Sequence, residues 1–211
     1  DDGLIEVCMT NGNNEVLIAN RNGRAIRFHE NAVRVMGRTA SGVRGMTLDD
    51  DPSDEVVGMV CIKDKEADTV LVVSEQGYGK RSIVEDYRMT NRGGKGVKTL
   101  NITEKTGKLV AIKNVTVEND IMIINKSGIA IRMKVTDLNV IGRATQGVRL
   151  INLGKRNDEI ASVCKVLSEP DEQEVDEENA ELDAQNENNE ELTGFGGSED
   201  IANDTEETTN E

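Results

Sequence analysis

The chain has 211 residues and a formal net charge of −15, but its charges are segregated. Residues 168–211 hold 18 of the 40 acidic side chains and no Lys or Arg, so the first 167 residues carry the other 22 acidic and all 25 basic side chains. A slightly basic body with an acidic appendage predicts a nucleic-acid partner. No apolar run reaches the length of a membrane span, no signal peptide is visible, and four aromatic residues without Trp argue against single-strand recognition by base stacking.

An internal repeat of short strands runs through the chain. A leading strand is predicted four times, at residues 4–10, 55–63, 109–115 and 159–166. A more apolar second strand is predicted at residues 15–19, 69–73 and 120–124, and a third strand at residues 24–28, 78–82 and 129–133. The turns between them end in Gly23, Gly77 and Gly128, and glycine adopts a positive φ at little cost. Each second and third strand is therefore predicted to form a hairpin.

A glycine loop between cations precedes a predicted fourth strand in each repeat. Its copies are VMGRTASGVRGMTL (35–48), TNRGGKGVKTLNI (90–102) and IGRATQGVRLINL (141–153), with the fourth strand near Val43, Val97 or Val148. Four strands in a unit of this length are typical of a propeller blade. We predict an all-β, propeller-like fold of about three four-stranded blades, with repeats at about 4–54, 55–106 and 107–167 and the last leading strand closing the final blade. The composition of residues 168–211 predicts a disordered acidic tail.

Cations recur at three fixed positions of the repeat. The candidate DNA-binding side chains are Arg27, Arg81 and Arg132 on the third strand, Arg38, Arg92 and Arg143 before the loop glycine, Arg44, Lys98 and Arg149 after it, and Lys95 within the middle loop. The loop glycines are Gly42, Gly93, Gly94, Gly96 and Gly147. Glycines let a phosphate approach backbone N–H groups, and the cations supply the field, so a curved rim that contacts the backbone of bent duplex DNA is predicted. The alternative is that these arginines bind carbonyls or acids and staple the blades together, above all the first series.

No catalytic constellation is visible. The single histidine, His29, is expected in a strand-exit turn, and Tyr78 occupies a strand position. No pair of cysteines has metal-site spacing. Cys8, Cys61 and Cys164 share one register of the repeat and are predicted to be small buried strand residues. Free thiols fit a reducing cytoplasm, which is the predicted location.

Together these motifs resemble a known family. MGRTASGVRGMTL, EQGYGKRSIVEDY, NRGGKGVKTL and IGRATQGVRLINL, followed by an acidic tail, closely resemble the C-terminal domain of the A subunit of bacterial DNA gyrase over residues 1 to about 167. The resemblance implies a six-bladed β-pinwheel, of which this chain supplies about the last half, with duplex DNA wrapped around its rim. It further implies a role in ATP-dependent negative supercoiling by a type IIA topoisomerase, as an A2B2 complex with the gyrase B subunit, beside the rest of the gyrase A subunit. No cofactor is expected on this chain, since ATP and Mg are used by the whole enzyme, whose catalytic tyrosine belongs to the absent N-terminal part.

One departure from the family's pattern and two alternatives bear on this interpretation. The family's box, Q-[RK]-R-G-G-[RK]-G, is matched by residues 92–96, but Thr90 and Asn91 replace its first two residues. The box is expected in the first blade, so this segment is interpreted as a variant loop. The chain begins at Asp1 rather than Met, which is expected of a fragment or a processed protein. The alternatives are the corresponding domain of topoisomerase IV and a propeller that binds another protein.

Overall fold

The computed structural model describes residues 3–153 and 158–169. Their regular structure is β-sheet together with three short 3-10 helices, Glu30–Ala32, Val84–Asp86 and Val135–Asp137. The strands are β1 (Glu15–Asn20), β2 (Arg24–His29), β3 (Val56–Ile62), β4 (Thr69–Ser74), β5 (Tyr78–Ile83), β6 (Val97–Lys98), β7 (Leu109–Val115), β8 (Asn119–Asn125), β9 (Ala130–Lys134), β10 (Val148–Arg149) and β11 (Ile160–Leu167). The all-β prediction is confirmed.

Each repeat contributes one tight hairpin. β1 pairs with β2, β4 with β5 and β8 with β9, all antiparallel. The turn glycines have positive φ, +76° at Gly23, +73° at Gly77 and +88° at Gly128, and the N–H of Gly77 donates to the Ser74 oxygen at 3.0 Å. These are the conformations for which glycine was predicted, and the three hairpins are confirmed.

The sheets combine strands of consecutive repeats. Their strand orders are β3-β1-β2-β6, β10-β5-β4-β7 and β11-β8-β9. A leading strand therefore pairs with the first strand of the hairpin before it, as β3 does with β1. β6 and β10 pair with the second strand of the hairpin one repeat earlier, which is β2 for β6 and β5 for β10. The prediction that the last leading strand closes the final blade is confirmed, because β11 pairs with β8 over its length. The sheets thus straddle the sequence repeats instead of coinciding with them.

Two strands predicted for the first repeat do not form. No strand is assigned within residues 3–14 or near Val43. A leading strand pairs with the hairpin before it, and a glycine-loop strand pairs with the hairpin of the preceding repeat; for these two segments neither hairpin exists among the described residues. These segments instead cover the free face of the first sheet, where Met46 packs with Phe28 and half-buried Cys8 lies against the same cluster. Leu4, by contrast, is 85% exposed. The predictions of strands at 4–10 and near Val43 are therefore wrong.

Two hydrophobic cores lie between adjacent sheets. Val70 and Val72 of β4 belong to the core shared with the first sheet, and Leu71 and Val73 belong to the core shared with the third. All four are at most 1% exposed. Because β4 is buried on both faces, its apolar run is continuous rather than alternating, as predicted for the second strand of the repeat. Each such side chain contributes roughly 1.5–3 kcal/mol through burial.

The leading strands converge at the inner end of the sheets. β3 contacts β7, and β7 contacts β11. All three carry a bulge at the same place, opposite the last residues of β1, β4 and β8. The residues left out of the pairing, Val57, Val110 and Ala161, line a common cavity of about 190 Å³. β6 and β10 lie at the opposite, outer ends of their sheets, so the glycine-loop strands form the rim.

The cysteines do not share one environment. Cys61 is buried on β3, where it pairs with Val16, and burial raises the pKa of its thiol to about 12. Cys164 is exposed on β11. The partner of Ile121, which matches Val16 in its strand, is Lys165 rather than Cys164. Cys164 is thus displaced by one residue and faces the other side of its sheet. The buried-strand prediction is correct for Cys61 and wrong for Cys164 and for Cys8, which is half-buried and lies in no strand.

Residues 170–211 lie outside the described part of the chain, so the predicted disordered acidic tail stays a prediction. In the described ranges, no helix has the length and apolar character needed to cross a lipid bilayer.

Candidate nucleic-acid interface

Two loop glycines allow the backbones of the rim strands to approach the hairpins closely. A Cβ added at Gly96 would collide with the carbonyl of Ala25, and one added at Gly147 would lie 2.5 Å from the oxygen of Gly79. Both glycines also have positive φ, +72° and +77°. They are therefore needed for the close backbone contact that starts the β2–β6 and β5–β10 pairings. This role is additional to the predicted approach of a phosphate.

The remaining loop glycines are less crowded. Gly42 has a φ of +81°, and an added Cβ would meet nothing within 4 Å. Gly93 has a φ of +88° and already donates its N–H to the Gly45 oxygen at 2.8 Å. An added Cβ at Gly94 would meet its nearest atom at 3.6 Å. The backbone N–H of Gly93 is thus used within the protein, and phosphate approach at Gly42 and Gly94 stays a prediction.

Arg27 links the first sheet to the next repeat. Its side chain is 8% exposed. Nε donates to Glu15 at 2.6 Å, and a terminal nitrogen donates to the carbonyl oxygens of Val84 and Tyr87 at 2.8 and 2.9 Å. These carbonyls belong to the 3-10 turn that follows β5. The prediction that Arg27 faces the rim is wrong, because it packs between sheets, as the staple alternative describes.

Arg81 and Arg132 hold the same strand position with different partners. Arg81 donates to the Leu138 oxygen at 2.6 Å, at the end of the following 3-10 turn, and so repeats the link made by Arg27. Arg132 donates to Asp120 at 2.8 Å and to the Leu167 oxygen at 3.0 Å, both within its own sheet. The first series is therefore committed to structural contacts.

The second series fixes each glycine loop to the loop before it. In the second and third repeats the guanidinium donates to the carbonyl of the last residue of the preceding 3-10 helix and to the carbonyl of the preceding rim cation. The contacts are Arg92 with Ala32 (3.2 Å) and Arg44, and Arg143 with Asp86 (2.8 Å) and Lys98 (2.6 Å). Arg38 holds this position in the first repeat, is exposed, and has no partner among the described residues. Arg92 and Arg143 thus place the backbone of the third series.

The third series is exposed on the rim. Lys98 lies on β6 and Arg149 on β10, while Arg44 occupies the matching place in the first repeat. Lys98 reaches the side-chain oxygen of Asn101 at 3.3 Å, and Arg149 donates to the hydroxyl of Tyr78 at 3.0 Å. Within the described ranges none of the three forms an ion pair with a carboxylate. Their charges are therefore not neutralised by a carboxylate in the described ranges, and their contact with DNA stays a prediction.

The middle loop is partly neutralised. Lys95 is 56% exposed along its side chain and lies 3.6 Å from Asp49. Arg24 lies at the same distance from the other oxygen of this carboxylate. At this separation and exposure each pair contributes little to stability, but the carboxylate weakens the local positive field.

Lys80 is a buried cation beneath the interface that the sequence analysis missed. It is 1% exposed, and Nζ donates to the oxygen of Gly142 at 2.7 Å, to the oxygen of Arg143 and to the hydroxyl of Thr145 at 3.3 Å. Burial, followed by the nearby charge of Arg143, lowers its pKa to about 8. By binding these three oxygens, the ammonium fixes the backbone of the third glycine loop from its buried side. The alternation of the third strand could have indicated this burial, because Lys80 occupies the strand position that the buried Ile26 holds in the first repeat.

Aromatic side chains are withheld from the surface. Phe28, Tyr78 and Tyr87 are 2%, 7% and 0% exposed, so the described part of the chain presents no aromatic platform for bases. His29 caps the 3-10 helix that follows β2, accepting from the Asn31 N–H at 3.2 Å, which agrees with the predicted strand-exit turn. No group of three or more His, Cys, Asp or Glu side chains in the described ranges could hold a metal ion.

Comparison with known families identifies the repeats. The sequence profile of a family described as "DNA gyrase C-terminal domain, beta-propeller" matches residues 14–63, 68–116 and 119–164, more than half of the chain. The chain belongs to this family. Each matched segment contains one hairpin and the leading strand that follows it, which is how the sheets are assembled.

Members of the gyrase family that resemble this chain are much longer. The DNA gyrase A subunit of Staphylococcus aureus strain MRSA252 is 48% identical over 178 residues, which is 84% of this chain, and the protein from strain NCTC 8325 matches equally. The chain spans 20% of the length of these relatives. A solved gyrase A C-terminal domain superimposes with a TM-score of 0.66 and 28% identity, covering 74% of this chain and 51% of that one. A solved topoisomerase IV C-terminal domain gives a TM-score of 0.71 at 24% identity, covering 77% of this chain and 49% of that one, and shows a shared fold.

The pinwheel prediction is confirmed for this member of the gyrase C-terminal domain family, with three antiparallel sheets in the described ranges. The partial box lies at the rim of the first sheet. Thr90 donates its N–H to the Arg27 oxygen at 2.9 Å, and the Thr47 hydroxyl donates to the Gly93 oxygen at 2.7 Å. Whether this segment serves as the box stays a prediction.

Proposed function

We propose that this chain is the DNA-binding and DNA-wrapping portion of a gyrase A subunit, and that it contacts duplex DNA along its rim. The observation that carries the proposal is the exposure of Arg44, Lys98 and Arg149, one per repeat, without carboxylate partners in the described ranges. Bending 20–30 base pairs smoothly costs on the order of 1–6 kcal/mol. Phosphate contacts on successive repeats offset that cost better than one patch does.

The contacts are to the DNA backbone rather than to bases. Exposed Lys and Arg at the sheet edges can reach phosphates, and the buried aromatic side chains leave no platform for splayed bases in the described ranges. The expected binding is therefore to duplex, with little sequence preference and a steep dependence on salt. A propeller that binds another protein is instead expected to expose aromatic anchors at its contact surface, and Phe28, Tyr78 and Tyr87 are buried.

In the whole enzyme this portion supports the work of other parts. We assign it to a bacterial type IIA topoisomerase that introduces negative supercoils with ATP and Mg. The assembly is A2B2, formed with the gyrase B subunit beside the rest of the gyrase A subunit, in the cytoplasm. The body is expected at residues 1–167 and the acidic appendage at 168–211. This chain brings DNA to the enzyme, and no cofactor is assigned to it. The corresponding domain of topoisomerase IV is the alternative, and its support is the shared fold.

The test is a triple variant, Arg44→Gln, Lys98→Gln and Arg149→Gln, in the complete gyrase A protein. Duplex affinity is measured at several salt concentrations. Each lost phosphate contact reduces the slope of log affinity against log salt by ~0.9, so three contacts reduce it by about 2.7. A supercoiling assay of the wild-type protein with the gyrase B protein then separates gyrase from the topoisomerase IV alternative, because negative supercoiling is expected of gyrase. The triple variant should lose that activity.

A matched control removes the same charge elsewhere. Lys63, Lys113 and Lys165 line a cavity of about 420 Å³ between the inner strands, away from β6 and β10. Changing these three to Gln alters the net charge equally and should leave the salt slope within about 1 of the wild-type value. Equal losses in both triple variants would mean that net charge rather than the rim governs binding, and the rim proposal would be wrong.

A further inference from the structure

A tyrosine at the rim of the second sheet holds two cations. Tyr78 begins β5 and is 7% exposed. The Cζ atom of Arg149 lies 5.4 Å from the centre of its ring, and Nζ of Lys105 lies 5.5 Å from the same point. Both distances are within the roughly 6 Å over which an aromatic ring attracts a cation. Lys105 lies outside the three repeated series, so the repeat pattern did not indicate it.

The orientation of Arg149 is fixed at two points. It stands directly opposite Tyr78 in the β5–β10 pairing, and its guanidinium donates to the Tyr78 hydroxyl at 3.0 Å. That hydrogen bond lowers the pKa of Tyr78, burial opposes it, and the charges of Arg149 and Lys105 add to the lowering. Both cations therefore act on the same hydroxyl group.

This pair of cations has no acidic counterpart in the described ranges. Neither Arg149 nor Lys105 forms an ion pair there, and Glu104, the neighbour of Lys105, forms none either. An ordered pair of unneutralised like charges is unfavourable by itself, and an anion that bridges them relieves the repulsion. A backbone phosphate matches this requirement, because its oxygens accept from both an ammonium and a guanidinium.

The first sheet lacks this arrangement. Opposite Lys98 its β2 strand carries Arg24, so the aromatic ring is replaced by a second cation. In the first repeat the glycine loop is followed by Asp-Asp-Asp at 49–51, which lies near Arg24, whereas in the second repeat it is followed by Thr-Glu-Lys at 103–105, which lies near Tyr78. Asp49 lies 3.6 Å from both Arg24 and Lys95. The two sheets therefore offer unequal sites to a phosphate.

We propose that Tyr78, Lys105 and Arg149 form a phosphate clamp for the DNA backbone, and that the rim of the second sheet binds duplex more tightly than the rim of the first. This inference rests on the proposed function, and it places the strongest contact with the DNA backbone at the rim of the second sheet. The ring holds both side chains before DNA arrives, so less rotamer freedom is lost on binding. Tyr78 is a positioning residue, while Lys105 and Arg149 touch the phosphate.

The first test measures duplex affinity against salt in the complete gyrase A protein. Lys105→Gln should weaken binding and reduce the salt slope by ~0.9. Tyr78→Leu should weaken binding by about two- to five-fold for each released cation while the slope stays unchanged, because the charges remain. Tyr78→Phe keeps the ring and should weaken binding less. Lys95→Gln, next to Asp49, is the matched control and should change the slope less than Lys105→Gln does.

The outcomes separate the clamp from the wider proposal. If Arg44→Gln leaves the affinity and the salt slope unchanged, the rim proposal fails. If Arg44→Gln weakens binding but Lys105→Gln and Tyr78→Leu do not, the clamp alone is overturned.

A second readout does not depend on affinity. The absorbance of tyrosinate is followed with pH, and subtracting the curve of Tyr78→Phe isolates the titration of Tyr78. Lys105→Gln and Arg149→Gln should each raise the pKa of Tyr78, and so should a saturating short duplex, because phosphate neutralises the cations. An unchanged titration on adding duplex, under conditions where binding is complete, would mean that phosphate does not enter the clamp.

Discussion

Replacing Arg27 by Met distinguishes a staple from a DNA contact. The change leaves Glu15, whose side chain is 4% exposed, with Lys65 at 2.7 Å as its remaining ion-pair partner. It also removes the donor from the carbonyls of Val84 and Tyr87. Breaking a buried ion pair costs about 3–5 kcal/mol. Because Lys65 still compensates part of the charge of Glu15, we expect a loss near 3 kcal/mol from a domain stability of about 5–15 kcal/mol.

The measurement is guanidinium unfolding followed by far-ultraviolet circular dichroism. Arg132→Met is the matched control, because Arg132 holds the same strand position but its side chain is 34% exposed and it pairs with Asp120 within its own sheet. The side chain of Asp120 is 8% exposed but still accepts from the Ser168 hydroxyl at 2.6 Å after this change, so the loss should be smaller than for Arg27→Met. The salt slope of duplex binding should be unchanged in folded Arg27→Met. A loss of less than about 1 kcal/mol, or a reduced salt slope, would refute the staple.

Three further predictions concern single positions. Gly147→Ala should cost about 3 kcal/mol or more, and Gly42→Ala only ~1–2 kcal/mol, since both have positive φ but only the first meets a backbone oxygen; thermal unfolding compares them. Tyr87→Phe should cost about 1–3 kcal/mol in denaturant unfolding, because it removes the buried 2.6 Å hydrogen bond to Thr99. Burial raises the pKa of Glu15, but hydrogen bonds from Lys65 and Arg27 outweigh it and lower the pKa, so its stabilising contribution is present above pH 4.5 and lost as pH falls through the lowered value. Glu15→Gln should flatten stability against pH in that acidic range.

Each of these predictions has an outcome that contradicts it. Equal losses at the two glycines would show that φ alone matters and that the contact with the hairpin does not. A Tyr87→Phe variant as stable as the wild type would mean that the buried hydroxyl pair does not stabilise the fold. A Glu15→Gln variant that unfolds in acid as the wild type does would assign acid sensitivity to other carboxylates.

Local features of the fold were predictable because they depend on local chemistry. Hairpins follow from apolar strands separated by a turn that ends in glycine, and the positive φ of Gly23 and Gly77 is a requirement of that turn. The continuous apolar run of β4 indicated burial on both faces. The resemblance to the gyrase family rested on motif order and spacing, which the family profile matches over three segments.

Roles that depend on a neighbouring repeat were not predictable in this way. An outward-facing arginine on a strand is equally compatible with a contact to DNA at the rim and with a structural contact between sheets. Arg27 makes the structural contact because the next repeat packs over it, whereas no sheet packs over Lys98 in the described ranges. The same reason accounts for Gly147, whose loop meets the preceding hairpin, and for Lys80, whose acceptors lie in a loop more than sixty residues away.

The sequence by itself determined the repeat, its strands and turns, the segregation of charge and the family. Those properties depend on periodicity, composition, motif order and local backbone preference, all of which can be read along the chain without knowing which repeats pack together. Only the tertiary structure decided which cations are free, because that depends on strands exchanged between repeats: the pairing of β6 with β2 and of β10 with β5 places the third series outermost. The same exchange brings Arg149 opposite Tyr78, a contact between residues of different repeats.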